Sequence, residues 1–435
     1  MKKTVLLAIA ICTSSFYSCT ENIDQIINAK EVERIERILS SDEMEGRKTF
    51  TPGIDKAADF IAANFEESNL EFFGDNDSFF QHITMVKSSA GEAMGKLDKE
   101  VLNLTNVAVN STEKELHVDS LSDYEIVTVK KGANFFQIVY PLFRAQKNVL
   151  VLIDKSHENN FKRISRFTGG AKFPSTFSQL FILTNNTKPS SIQLHVTNKI
   201  TEQKLKNVVG VIPGKSKKDE YVVFGAHYDH LGIGKPDANK DSIYNGANDD
   251  AAGTTAVMML AKYFNKIKDN ERTLIFVAFT AEEIGGFGSR YFSQQLNPDQ
   301  VMAMFNIEMI GTDSKWGTNS AYITGFERSS MGEILQKNLE GSKFRFEPDP
   351  YPKQNLFYRS DNATLAELGV PAHTISTSKM DEKPNDEPNY HKQSDEIEKL
   401  DMNNMAEIIK AIAISSKTII SGKDTPTRVA LPKKQ

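Results

Sequence analysis

Between about residues 205 and 420, two kinds of apolar run alternate, and several of the strand-like runs stop on a histidine or a carboxylate. KNVVGVIPG, YVVFGAH, RTLIFVAFTAEE, MAMFNIEMIG and VPAHTIST are short and β-branched or aromatic. DDAAGTTAVMMLAKYFNKI, GSRYFSQQL, GEILQKNLEG and DMNNMAEIIKAIAISSKTII carry apolar residues at helical spacing, as Val257, Leu260, Ala261 and Phe264 do. Nearly continuous apolar strands separated by amphipathic helices predict an α/β fold of three layers. A mixed, mainly parallel sheet lies between two layers of helices, because only such a sheet is buried on both faces.

Two flanking regions read differently. Residues 30–70 predict two helices, one with a stripe of Val32, Ile35, Ile38 and Leu39, the other with Ile54, Ala57, Ala58, Ile61 and Phe65. Residues 96–204 change texture to short runs such as YEIVTV, NVLVLI, QLFIL and SIQLHV between polar turns, which predicts a β-rich inserted domain. The expected organisation is residues 19–95 as the N-terminal part of the main domain, 96–204 as the insert, 205–421 as the remainder and 422–435 as a flexible tail. That tail carries Pro426, Pro432 and several lysines.

The first eighteen residues have two lysines, a short apolar stretch and then small and polar residues, the pattern of an export signal. Cys19 follows directly, as in a bacterial lipoprotein signal whose new terminal cysteine is lipidated. The expected location is therefore an exported, membrane-anchored protein facing the periplasm or the cell exterior. Both cysteines of the chain, Cys12 and Cys19, fall in this segment. Downstream of it there is no thiol for a disulfide, a nucleophile or a thiolate metal site, so a metal would have to be held by His, Asp and Glu. A net charge of −5 offers nothing to attract nucleic acid.

The parallel sheet gives the strand-end residues their meaning. Parallel strands point their carboxyl ends to one edge, where loops and helix N-termini collect and sites form. His227, Glu282-Glu283 and Glu308 sit at such ends, Asp249-Asp250 opens the helix after the first, and Tyr390-His391 follows the last. Read alone, Asp249-Asp250 is equally a helix cap and first-turn acid, and Glu282-Glu283 a solvated helix start. Glu308, between Ile307 and Met309, is harder to explain without a partner. So many carboxylates repel one another unless cations join them. His373 reads as a structural strand histidine, and His230 as a loop residue or a support for a ligand. His82, His117, His157 and His195 belong to no acidic constellation and read as surface or core residues.

The motifs stand in an order that resembles the zinc aminopeptidases of metallopeptidase family 28. They are H-x-D at His227 and Asp229, G-A-x-D-D-x-x-G at 246–253 and A-E-E-x-G at 281–285. N-x-E-M-I-G at 306–311, S-D at 360–361 and Y-H-x-x-S-D at 390–395 follow. The resemblance covers about residues 30–95 and 205–420. It implies hydrolysis of N-terminal residues from peptides by a metal-activated water, with two Zn²⁺ per chain. His227 and Glu308 would hold one ion, Glu283 and His391 the other, and Asp249 would bridge them. Glu282 would be the general base, Asp229 would orient a histidine ligand, and Tyr390 would steady the oxyanion. The resemblance also implies a cis peptide between Asp249 and Asp250. The chain departs from the common pattern at Glu308, where many members have Asp, and at Asn362, Asn389 and Lys392. The inserted segment resembles a protease-associated domain. Two other readings stay open: a glutaminyl cyclase of the same fold using one zinc, and a non-catalytic surface module.

Overall fold

The computed structural model describes residues 23–380 and 388–431, the side chains of Ser165 and Arg166 excepted. The signal segment and Cys19 lie outside the described residues. The chain forms two compact units, one made of residues up to Ile83 and from Leu205 onward, the other of Thr84–Lys204. No helix among the described residues is long and apolar enough to cross a membrane.

The first unit opens with α1 (Ala29–Leu39) and α2 (Pro52–Glu67). α1 starts where the Asn28 side chain caps the Glu31 N–H, and its buried stripe is Val32, Ile35 and Leu39. α2 has Pro52 in its first turn, where a missing N–H costs nothing, and buries Ile54, Ala57, Ala58, Ile61 and Phe65.

The sheet elements follow in chain order. They are β1 (Ile192–Ile212, whose last residues from Leu205 belong to this unit), β2 (Lys217–His227), α3 (Ala252–Ile267), β3 (Arg272–Phe279), α4 (Phe287–Gln294) and β4 (Val301–Ile307). After these come β5 (Ser320–Ile323), α5 (Met331–Asn338), β6 (Arg345–Pro348), β7 (Ala372–Ser376) and α6 (Met402–Ser415). The order across the sheet is β6-β5-β7-β4-β2-β3-β1. β7, β4, β2 and β3 are parallel to one another, with Val223 opposite both Ile275 and Met304, and β1 runs antiparallel to β3 with Glu71–Phe72 paired on its other side. Every residue of β3 is buried, as a strand covered on both faces requires. One face packs on α1, α2, α3 and α6 through residues such as Phe224, Phe276, Phe305, Leu260 and Ile409. The other packs on α4 through Phe279, Phe292 and Met304. The expected strands and helices between 205 and 420 are present. β5 and β6, only four residues each, were too short to stand out as runs.

The second unit contains a four-stranded sheet ordered Val107–Asn110, Gln179–Leu183, Val149–Ile153, Glu125–Val129, with helices Phe135–Leu142 and Glu158–Phe167. Its two inner strands, Gln179–Leu183 and Val149–Ile153, are wholly buried. The unit starts at Thr84, before the expected residue 96, and both positions lie within the one continuous strand Phe80–Leu97. Within it, His117 faces His195 across an antiparallel pair, the rings stack at 4.3 Å, and Glu115 stands 3.7 Å from His117. Glu115 thus stands beside His117 two positions away on the same strand, and strand pairing brings His195 to that pair.

The tail departs from expectation. Residues 422–431 lie against the first unit rather than hanging free. Arg272 donates to the Asp424 carbonyl and the Thr425 hydroxyl, Arg428 donates to the carbonyls of Val301 and Pro298, and Val429 is buried. The composition suggested solvation, but two arginine forks supply tertiary hydrogen bonds that composition cannot reveal. Arg428→Ala should therefore lower the unfolding free energy by about 1–2 kcal/mol, read as a shift in urea midpoint; an unaltered midpoint would restore the flexible-tail reading.

Candidate metal centre

β2 delivers His227 at its last position, paired with Phe279, the last residue of β3. The chain after β3 turns through Ala281, in the left-handed region at φ 62°, into Glu282 and Glu283. Glu308 follows β4 directly, and Met309 after it is also left-handed at φ 51°. His391 itself has φ 55°. Such conformations cost a non-glycine residue about 1 kcal/mol or more, so the surrounding structure must hold them. Between β2 and α3, Asn248-Asp249-Asp250 wraps under the strand ends, and the Asp249–Asp250 peptide is cis. Gly253 enters α3 so close to β4 that an added Cβ would lie 2.2 Å from the Ile307 carbonyl.

These elements bring all five expected ligand residues together in two triads that share one carboxylate. His227 Nε2 lies 3.3 Å from Asp249 Oδ1 and 3.4 Å from Glu308 Oε1. His391 Nε2 lies 3.2 Å from Asp249 Oδ2 and 3.2 Å from Glu283 Oε2. Ligand atoms held tetrahedrally at zinc's bond lengths stand about 3.3 Å from one another. All four spacings fit that edge, and the two oxygens of Asp249 each face a different triad. Imidazole and carboxylate, with no thiolate, form a donor set that suits Zn²⁺. Buried polar atoms with no hydrogen-bond partner among the described residues include Asp249 Oδ2 and Glu283 Oε1. The residues present fit the metal.

Electrostatics point the same way. Burial pushes the Glu282 carboxyl well up, with Asp361 and Glu308 adding to the rise against His227. Burial also raises Asp250, with Glu308 contributing, and it raises Asp361 to about 6. For His227 burial acts downward, but Glu308 and Asp249 outweigh it and hold the imidazolium well above its usual range. Protein groups alone thus leave Glu282, Asp250 and Asp361 resisting ionisation, a cost that divalent cations would remove. Burial and the carboxylates Asp249, Glu308 and Glu283 push the Tyr390 phenol up, so it stays a neutral O–H donor. Its ring stacks on His391 at 3.9 Å.

The supporting residues are partly new. Asp229 was expected to orient a histidine. Its carboxylate stands 3.8 Å from His227 Nδ1, which instead lies 3.1 Å from the Asp229 backbone carbonyl. The carboxylate accepts from the N–H groups of Glu282 and Glu283 at 2.9 and 3.3 Å, and so holds the turn that carries both. Ser360 donates to Glu308 Oε2 at 2.6 Å, and Asp395 accepts from the N–H groups of Asn248 and Asp249. Both lie in S-D motifs visible in the sequence. Asp250, expected at most as a cap, accepts from Gly253 and Met309 and so ties α3 to the end of β4. His373 is structural as expected, bonded to Thr324 and Ser329.

Arg47 carried no signal in the sequence. It is fully buried in the turn between α1 and α2, and donates to the carbonyls of Leu39, Tyr228, Asn245 and Gly246 at 2.5–2.8 Å. It clamps the segments on either side of the metal loop. Burial disfavours its charge, while Glu36, Asp395 and Asp249 compensate. Arg47→Lys keeps the charge but cannot reach four carbonyls in a fork. It should destabilise the metal-stripped protein by about 2–4 kcal/mol in denaturant unfolding.

Comparison with known proteins agrees with this geometry. Residues 207–415 match the model of Peptidase family M28. Leucine aminopeptidase 1 of Metarhizium robertsii is 27% identical over 212 residues, covering 46% of this chain and 51% of that protein. Aminopeptidase YwaD of Bacillus subtilis is 25% identical over 213 residues, 46% of this chain and 41% of that one. The chain thus spans about half the length of these relatives. Among solved structures, an aminopeptidase from Aneurinibacillus sp. strain AM-1 superposes with a TM-score of 0.53 at 16% identity, covering 95% of this chain and 98% of its own. BSAP, a zinc aminopeptidase from Bacillus subtilis, gives 0.54 at 17% identity, covering 91% and 95%. At those identities the superpositions establish a common fold. Residues 207–415, which carry every member of both triads, are a domain of peptidase family M28.

Proposed function

We propose that the protein is a two-zinc aminopeptidase that removes N-terminal residues from peptides. The single observation carrying this is the shared carboxylate: Asp249 Oδ1 faces His227 and Glu308 while Oδ2 faces Glu283 and His391. Each triad would hold one ion. The ions, when bound, polarise the scissile carbonyl and make a water nucleophilic at neutral pH.

The chain's own residues supply the rest. Glu282 stands beside the triads without entering either, and its raised pKa suits a group that accepts a proton and passes it on. It takes one proton from the attacking water and delivers it to the departing amine nitrogen as the C–N bond breaks. Tyr390 donates its O–H to the carbonyl oxygen as negative charge develops there. Asp229, through the N–H groups of Glu282 and Glu283, keeps base and ligand in register. A cavity beside Glu308, lined by Tyr322, Leu356, Arg359, Met380 and Tyr390, offers room for a substrate side chain.

A single-zinc cyclase needs only one complete triad, and a non-catalytic module needs no base. Two complete triads together with Glu282 favour the peptidase over both. Elemental analysis should find about two zinc equivalents per chain in both wild type and Glu282→Gln, while the variant loses aminoacyl-substrate hydrolysis by a few orders of magnitude. A chain that binds no zinc, or a variant that keeps its turnover, contradicts the reading.

We further infer an exported enzyme anchored through lipidated Cys19, acting on peptides in the periplasm or outside the cell. Support comes from the lysine start, the apolar stretch and the cysteine that follows it. Several acyl chains on one residue hold a protein at a membrane that one chain binds only marginally. Cys19→Ser should move the protein to the soluble fraction with its turnover unchanged; equal partitioning of the two forms in membrane fractionation argues instead for a cleaved secretory signal.

A further inference from the structure

His230 belongs to neither triad, yet it is one of the most deeply buried residues of the centre, with its side chain wholly shielded from solvent. Its Nδ1 stands 2.8 Å from Glu283 Oε1 and 3.9 Å from Asp249 Oδ2. Its ring meets that of His391 edge-on at 5.8 Å. Glu283 is therefore gripped from two sides, with Oε2 facing His391 and Oε1 facing His230.

The distances separate two roles. Neighbouring ligands of a tetrahedral zinc stand about 3.3 Å apart. His391 fits that spacing to both carboxylates. His230 does not, being too close to Glu283 and too far from Asp249. A separation of 2.8 Å is instead that of an N–H donor and a carboxylate oxygen. The contact lies off the line of a regular hydrogen bond, and neither atom has such a bond among the described residues. Contacts of this kind often align only when a site is loaded.

The surroundings are shaped for the ring. Gly246, in the left-handed region at φ 57°, leaves the space that a Cβ would fill 2.5 Å from His230 Cγ and Cδ2. The His230 backbone N–H is fixed on the Arg47 carbonyl. A ring held this firmly against one ligand oxygen has little freedom to do anything else.

We propose that His230 is a positioning residue. Its Nδ1–H holds Glu283 Oε1, so that Oε2 alone turns toward the ion shared with His391 and Asp249. The inference rests on the two-zinc reading and adds to it the residue that sets how Glu283 binds. Partners that orient a metal ligand contribute about 10–100-fold to metal affinity.

The test uses the zinc-loaded full chain as wild type, His230→Ala and His230→Asn. Asn places an amide N–H near the position of Nδ1 but is a poor zinc ligand. Stepwise chelator titration reads the affinity of each ion, and thermal unfolding of the metal-stripped proteins reads folding. The expected result is two ions in wild type, one of them weakened about 10–100-fold in His230→Ala, and most of that affinity recovered in His230→Asn. Equal loss in both variants would make His230 a ligand and overturn the proposal. Unchanged affinity overturns it too, as does weakening of both ions in step with a lower metal-stripped midpoint. A wild type that holds no zinc sinks the two-zinc reading and this inference together; two ions with an indifferent His230 sinks only this one.

Discussion

The mutual repulsion of buried carboxylates governs the centre of this protein. Asp229, Asp249, Asp250, Glu282, Glu283, Glu308 and Asp361 converge where little water reaches. Each answers the repulsion differently. Asp229, Asp250 and Asp395 accept backbone N–H groups. Asp249 and Glu283 face imidazoles, and contacts with His227 and His391 for the one, and His230 and His391 for the other, pull their pKa down against burial. Glu282 has no such partner and rises. One cluster thereby contains carboxyls pulled down and a carboxyl pushed up, the separation that the proposed ligand and proton-carrier roles call for.

The same constraint explains features of the scaffold that have no direct contact with substrate. A fully buried guanidinium is expensive without nearby negative charge. Arg47 is tolerable because the acidic cluster stands over it, and useful because its fork fixes the carbonyls of Tyr228, Asn245 and Gly246. The helical pair α1–α2, remote in sequence from every ligand, thus becomes part of the metal loop's foundation. Ala281, Met309 and His391 carry local backbone strain within or beside the two triads.

The first unit was legible in the sequence because burial on both faces leaves an unmistakable texture. RTLIFVAF and DDAAGTTAVMMLAKYF could hardly be anything but an internal strand and the helix covering it. All five triad residues were legible too: His227 and Glu308 end or directly follow strand runs, Glu283 lies in the turn after one, Asp249 stands before a helix, and His391 lies in a motif beyond the last strand. The two short strands Ser320–Ile323 and Arg345–Pro348 left no run long enough to read. The tail misled because its lysines and prolines looked solvated, while Arg272 and Arg428 secured it from elsewhere in the chain.

The sequence by itself determined the ligand types, the alternation that aligns the strand ends and, through a chain whose only cysteines are Cys12 and Cys19, the restriction to oxygen and imidazole donors. Tertiary structure decided the rest: that one carboxylate faces both triads, that Asp229 holds a turn more closely than it approaches a ring, and that Arg47 and His230 belong to the centre at all. The reason is physical. Residue type and period are local properties carried along the chain. Which oxygen faces which nitrogen depends on separations of a few tenths of an ångström, set only when distant segments pack.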